Sequence, residues 1–337
     1  MVASRHAPPS VSIGLPVFNG ERYLDATIRS IRDQVFADLE LIICDNASTD
    51  ATAEICHRHA AADARIIYHR QPRNLGAGPN YDDCFRRARG RYFKWAAHDD
   101  LLAPDYLSRA VAALEAAPEA VLCTTGVTEI GPEGEVLRRY ANTFPGIESP
   151  EPARRLGAVI HTCHQCEDFF GLFRREALVG SGLHGTYSGS DRVLLAEMAL
   201  RGPWVAVAEP VFLHREHPHR YTRALLLKDR REAALWQDAT VANRSTSTLF
   251  HWQVWRQYWH AVARSVPDRA LRRSCHAELM RWWITGGHAG EVARDVAQAA
   301  SPRLFQAMRS LKRSLVGSPA QLPPGALPPP RWGSERH

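Results

Sequence analysis

Tyr92-Phe93-Lys94-Trp95-Ala96-Ala97-His98-Asp99-Asp100-Leu101 is the stretch on which the reading of this chain turns. An aromatic, apolar run ends in two adjacent carboxylates, and Pro104 then opens a helix-like segment. Hard cations take oxygen ligands, and open α/β sheets bind their ligands outside the carboxyl ends of the strands. A strand that carries acids to a sheet edge is therefore a place where a metal and a diphosphate can be held.

Toward the N-terminus, residues 11–17, 39–44 and 65–69 read as buried strands. Between them, residues 21–34 carry helical spacing through Leu24, Ile28 and Ile31, and residues 51–61 form a second helix. The turn Asn74-Leu75-Gly76-Ala77-Gly78 leads into a third helix that runs to about Arg89. After the acids come a helix over 105–116 and a strand over 120–125. Strands that alternate with helices predict a mostly parallel central sheet with helices on both faces. Asn19, Asp45 and Asp99 all fall at or just past strand ends, so they can converge on one crevice.

Toward the C-terminus, residues 128–140 read as a hairpin around Gly131-Pro132-Glu133-Gly134, followed by an irregular stretch from His161 to Cys166. Residues 169–173 read as a strand and 174–178 as a helical turn. Ser188-Gly189-Ser190-Asp191 opens a helix that Gly202-Pro203 ends, and two short strands are expected at 204–208 and 211–214. From 221 onward helical periodicity dominates, and 317–337 is proline-rich with few apolar residues, which predicts disorder. The expected organisation is a domain over 8–220, a C-terminal helical region over 221–316 and a tail over 317–337.

The chain has 337 residues, 45% apolar and 23% charged, which is ordinary for a globular protein with a sizeable core. No run approaches the roughly 18 apolar residues of a membrane span, and residues 1–10 lack the apolar stretch of a secretory signal. Seven cysteines without an even framework fit a reducing compartment. The expectation is a cytoplasmic protein, with peripheral contact at the inner membrane surface left open. The net charge of +6 reads first as a solvated helical surface and second as attraction to anionic lipid or a phosphorylated acceptor. Nucleic acid is not expected, because no motif for it accompanies the charge.

Taken together, these motifs resemble the family 2 inverting glycosyltransferases over roughly residues 10–220, which implies a GT-A fold and a nucleotide-diphosphate sugar donor. Leu15-Pro16-Val17-Phe18-Asn19 with Glu21 is similar to the family's opening strand and turn. Cys44-Asp45-Asn46-Ala47-Ser48-Thr49-Asp50 is similar to its second-strand motif, and Asn74, Gly76, Asn80 and Gly90 to the spaced residues before the metal strand. The resemblance assigns nucleotide binding to Pro16, Phe18, Asn19, Glu21, Asp45, Ser48, Asn74, Gly76 and His98. It assigns a Mg²⁺ or Mn²⁺ ion to Asp99, Asp100 and His217 and the catalytic base to Asp191; Arg215 and Arg220 read either as a grip on diphosphate oxygens or as simple surface charge. Ala97 stands where the family carries the first Asp of Asp-x-Asp, and Ser190 where it carries Glu before the base. The implied activity is hexosyl transfer to a saccharide or lipid-linked acceptor, in surface polysaccharide or glycolipid assembly. The resemblance does not extend to the C-terminal helices, and the oligomeric state stays open.

Plainer readings stand beside these. Asp100 can cap the segment after it, and Asp191 can cap the helix it opens. His217 can be a surface histidine, and the tryptophans core residues. His161-Thr162-Cys163-His164-Gln165-Cys166 has the Cys-x-x-Cys of zinc or redox sites but no second knuckle, so it is expected to be an acceptor-side loop. Gly76-Ala77-Gly78 lacks the third glycine of a dinucleotide fingerprint. A nucleotidyltransferase lacks its Gly-rich phosphate loop here. A degenerate GT-A protein that binds sugar or membrane is suggested by Ala97 and opposed by Asp99 and Asp191.

Overall fold

The structure is a computed structural model that describes residues 7–218, 220, 236–239 and 250–300. The N-terminal half alternates as read: β1 (Val11–Val17), α1 (Leu24–Arg32), β2 (Leu39–Asp45), α2 (Thr52–Ala62), β3 (Ile66–Arg70), α3 (Ala77–Arg87) and β4 (Tyr92–Trp95). These four strands lie parallel in the order β3-β2-β1-β4. Alternation along each strand splits two cores. Val11, Ile13, Leu15 and Val17 pack with Leu24, Ile28 and Ile31 of α1 on one face. On the other, Ile42, Cys44, Phe93 and Trp95 pack with α3. Gly14 is what lets α3 lie this close, since a Cβ there would stand 2.6 Å from Cys84 Cβ. Trp95 is fully buried among the rings of Phe93, Phe169 and Phe173, and its indole N–H donates to Tyr81 O at 3.0 Å.

Beyond β4 the sheet is mixed, so the expectation of a mostly parallel sheet holds only for its first half. β5 (Leu101–Leu102), α4 (Tyr106–Ala116), β6 (Leu122–Ile130), β7 (Val136–Tyr140) and α5 (Pro152–Ile160) follow. Next come a 3-10 turn (Glu167–Phe170), β8 (Leu172–Arg174), α6 (Arg175–Leu178), α7 (Ser190–Arg201) and β9 (Trp204–Arg215). β8 runs antiparallel to both β4 and β6, while β6 pairs parallel to β9 and antiparallel to β7. β5 closes the far edge antiparallel to β9.

Three elements differ from the sequence reading. β4 stops at Trp95, so the acids sit on the following loop and not on the strand. The two short strands after α7 are one strand, β9, which crosses Pro210 with a register shift against β6. The strand read over 169–173 is the 3-10 turn followed by the shorter β8, because Cys166 turns left-handed at φ 65° just before it.

The C-terminal region is helical where described: α8 (Phe250–Ser265), α9 (Arg269–Thr285) and α10 (His288–Ala300). α8 and α9 bury Val254, Tyr258, Ala261, Val262, Cys275 and Leu279 in the core that also holds α5 and α7. They therefore extend the domain's own core on the α3 face. The tail over 317–337 and the helical expectation for most of 221–249 and for 301–316 lie outside the described residues. No described helix is long and apolar enough to cross a membrane.

Candidate active site

The loops after β1 and β2 are stitched to each other by their own side chains. Asn19 takes the left-handed conformation (φ 52°), which Asn tolerates better than most residues. Its N–H donates to Ser48 Oγ at 2.9 Å, and its Oδ1 accepts from Thr49 N–H at 2.8 Å. Glu21 Oε2 accepts from Ala51 N–H, and Glu21 N–H donates to Asp50 Oδ2. Asp45 is fully buried, accepting from Ser48 N–H at 2.8 Å, Tyr68 Oη at 2.7 Å and Arg70 Nη1 at 3.0 Å. Asn74 Oδ1 accepts from Asn46 Nδ2 and from Gly76 N–H. Gly76 lies at φ 91°, and a Cβ on it would meet the backbone of 237–239 at 2.7 Å. Asn19, Glu21, Asp45, Ser48 and Asn74 thus hold the loops, Pro16 is buried within β1, and Phe18 stands exposed at the strand end.

Sequence reasoning missed Arg70. It is opposite Asp45 in the β2–β3 register, bonds both Asp45 and Ser48 O, and leaves its side chain 43% exposed. A parallel pair of strands that end level would have pointed to it.

The loop after β4 separates two adjacent acids into different tasks. Asp99 is half-buried, and its Oδ2 lies 2.9 Å from His217 Nε2. Burial pushes its carboxyl up, but the charges of His98, His217 and Arg220 and the His217 hydrogen bond outweigh burial and hold it well below the usual range. Asp99 is an anion in the folded protein. Asp100 turns inward: its Oδ1 accepts from Arg215 N–H at 2.8 Å and lies 3.1 Å from His214 Nδ1. Burial pulls the His214 imidazole down, yet Asp100 beside it lifts it above its ordinary value.

Arg215 is equally committed. Its Nε donates to Asp99 O at 2.9 Å and its Nη1 to Gly131 O and Pro132 O, with Tyr23 against its plane at 4.7 Å. Asp100 and Arg215, expected at the metal and the diphosphate, are here engaged in pinning β9 to the acid loop. Arg220 is paired with Glu216 at 2.6 Å and lies within the field of Asp99 and Asp100. His98 is half-exposed, its ring against Gly20. Ala97 offers no ligand.

Asp191 is the second residue of α7. The helix is capped by Gly189 at φ 83° and not by a side chain, so the plain capping role of Asp191 is not what the structure uses. It is half-buried, and its one hydrogen bond among the described residues is from the adjacent Arg192 N–H. Tyr81 connects it to the acid loop. Burial pushes the Tyr81 phenol up, and the charges of Asp99, Asp100 and Asp191 all push it the same way. His184 stacks on Tyr81 at 4.4 Å, with Nδ1 3.4 Å from Ser190 Oγ. Asp99, Asp100 and Asp191 thus all lie near enough to Tyr81 for their charges to act on its phenol.

The His161–Cys166 stretch borders this end. Arg192 Nη2 donates to His164 O at 2.8 Å, His161 Nε2 lies 2.8 Å from Glu278 Oε1, and Cys163 is exposed while Cys166 is buried. Among the described residues no group of three or more His, Cys, Asp and Glu is placed to hold a metal alone.

The family described as glycosyl transferase family 2 matches residues 12–179. A putative glycosyltransferase EpsE of Bacillus subtilis is 34% identical over 147 residues, covering 43% of this chain and 50% of that protein. Chondroitin synthase of Escherichia coli is 37% identical over 97 residues, covering 29% of this chain and 14% of that protein. The chain spans half or less of the length of these curated relatives. Among solved structures, residues 1–349 of S. aureus TarS in complex with UDP-GlcNAc align with a TM-score of 0.58 at 15% identity, over 81% of this chain and 72% of that one. That likeness is one of fold. With the family match and the relatives pointing the same way, residues 12–179 of the chain belong to glycosyl transferase family 2.

Proposed function

We propose that the protein is an inverting glycosyltransferase that moves a sugar from a nucleoside-diphosphate donor to a hydroxyl acceptor, in cell-surface polysaccharide or glycolipid assembly. The observation that carries this reading is Asp99, presented on the loop after β4 beside the stitched loops of β1 and β2, with His217 Nε2 2.9 Å from its carboxylate; donor and acceptor would share a cleft between it and Asp191. The nucleoside would lie over the stitched loops after β1 and β2, against Phe18 and Arg70, which reach solvent there. UDP-GlcNAc, bound by TarS, makes uridine nucleotides the first donors to try.

Asp99 and His217 fit a hard divalent ion, Mg²⁺ or Mn²⁺. Asp99 is ionised and its second oxygen makes no hydrogen bond among the described residues. Such ions keep several waters and substrate oxygens, so one carboxylate and one imidazole suffice. Bound there, the ion would neutralise charge on the departing diphosphate. Arg220 adds fixed positive charge at the same end. Asp191 takes the proton from the acceptor hydroxyl as its oxygen attacks the anomeric carbon opposite the leaving group. Asp100 and Arg215 keep the loop that presents Asp99 in place.

The test is thermal stability with UDP, GDP and CDP, each with and without Mn²⁺. A ligand that binds only the folded state adds about 2.7 kcal/mol at a hundredfold excess over its dissociation constant. The expected result is a Mn²⁺-dependent rise with one nucleotide that Asp99→Ala abolishes. No rise with any of them overturns the reading and leaves a degenerate binding protein.

A further inference from the structure

The base sits at the end of a segment whose backbone is costly to hold. Leu183, Gly185 and Gly189 all take positive φ within ten residues of Asp191, and Gly180 just before them takes it too. Leucine in the left-handed region is a genuine outlier, and such conformations persist only where the surroundings over-determine them. Something must grip this segment.

At its start the grip comes from Glu197, two turns into α7 and wholly buried, while just after Leu183 the His184 N–H donates to Asp82 Oδ1 of α3 at 3.0 Å. Glu197 Oε2 accepts from Gly182 N–H at 3.1 Å, at the start of the strained segment, and from Arg264 Nη2 at 2.7 Å. Its Oε1 accepts from Arg201 Nη2 at 2.9 Å and from Arg264 Nε at 3.2 Å. Arg264 belongs to α8, 67 residues along the chain. A Cβ on Gly182 would stand 2.8 Å from the Arg264 guanidinium, so the missing side chain is what admits it. The family match ends at residue 179, before every one of these groups.

We infer that Glu197 and Arg264 are positioning residues for the transfer reaction, and that α8 serves to hold the segment 182–190 so that Asp191 faces the cleft. The inference rests on the reading of Asp191 as the base. Five hydrogen bonds converge on this one buried carboxylate and fix it, whereas removing Arg264 leaves it undercompensated beside a strained backbone. Burial alone would be served by an apolar pair at this place. A charge that reaches both the loop and the helix specifies one position of the loop.

The experiment is amide hydrogen exchange on the full chain with Arg264→Ala, with turnover followed as UDP release from UDP-GlcNAc. The expected result is exchange at least tenfold faster at residues 182–190 while β1–β4 keep their rates. Turnover should fall at least tenfold with donor KM within twofold of wild type. Arg264→Lys, which keeps the charge but not the fork, should restore part of both. Unchanged exchange at 182–190, or a rise of the same size in β1–β4, overturns the inference. Asp191→Asn separates it from the reading beneath it: if that variant turns over normally, the base assignment fails whether or not Arg264→Ala loosens the loop.

Discussion

The loops after β1 and β2 hold their polar groups with each other, whereas the loop before α7 is bonded to Glu197 of α7, whose partner Arg264 lies 67 residues further on in α8. On the first side Asn19, Glu21, Ser48 and Asp45 bond to the backbone or side chains of the facing loop, in register across two parallel strands. On the second side Asp191 follows a stretch with several left-handed residues, and its support comes through Glu197, Arg201 and Arg264. On the proposed reading the donor end is thus a consequence of the sheet, and the acceptor end a consequence of packing onto it. One scaffold can keep the first and vary the second.

The sharpest way to break this contrast is at the reacting groups. Asp191→Asn preserves size and the Gly189-led start of α7, and removes only the ability to take a proton. Turnover with the donor that the thermal panel identifies should fall about 10²–10⁴-fold, with nucleotide affinity unchanged. A variant that loses nucleotide binding instead would mean that the two ends are not separable. Steady-state kinetics beside titration calorimetry with UDP decides between these.

Asp45→Ala tests the donor side as a folding unit. It leaves Tyr68 Oη and Ser48 N–H without their acceptor beneath a fully buried strand end, and a loss of about 2–4 kcal/mol in denaturant unfolding is expected. Because the nucleoside would meet Arg70 and not Asp45 itself, Asp45→Ala should weaken UDP binding by displacing Arg70. A variant of full stability that no longer binds UDP would return Asp45 to direct contact.

The contrast also explains what could be read in advance. β1, β2 and β3 are short apolar runs between polar turns, and Asp45 and Asp99 follow the ends of strands, so both the elements and their convergence were visible. From sequence the acids read as the end of the strand because Ala96-Ala97 continues the apolar run. Nothing local says that Ala96 N–H donates to Gly14 O and that the ladder then stops. Asp100 was grouped with Asp99 because adjacency suggests a shared task. Their opposite directions depend on His214 and Arg215, more than a hundred residues on, and on the long β9 that brings them back. Helix α5 went unread because Arg154-Arg155 interrupts its apolar spacing. Arg155 is in fact buried, its guanidinium donating to Ser149 O, Ala199 O and Leu200 O.

A smaller effect sharpens the acceptor side. Asp168, in the turn under α7, is pushed up to about 7 by burial and by Glu167, against the hydrogen bond from Asn142. A carboxyl whose pKa is raised on folding binds more protons folded than unfolded between its ordinary pKa and about 7, so stability falls as pH rises through that window. Asp168→Asn removes the buried charge, and its side chain can still pair with Asn142. It should be more stable than wild type by roughly 1–3 kcal/mol at pH 8, with the gain gone at pH 4. Urea midpoints at the two pH values check this, and a gain equal at both would mean that the charge is not the cause.

The smallest expected effect is also the most discriminating for the donor side. Ser48 was given to the nucleotide by resemblance, yet its hydroxyl accepts from Asn19 N–H and its side chain is almost wholly buried. If its task is to fix Asn19 in the left-handed turn, Ser48→Ala costs about 1 kcal/mol, the usual worth of one such bond, and changes UDP affinity by less than threefold. If the hydroxyl instead meets the ribose, stability stays and affinity falls by tenfold or more. The two outcomes move different observables, so one unfolding curve and one binding isotherm separate them. The first result leaves the donor side as a set of loops that position Phe18, Arg70 and backbone groups. The second makes its side chains ligands as well as stitches, and the difference between the two ends of the cleft shrinks accordingly.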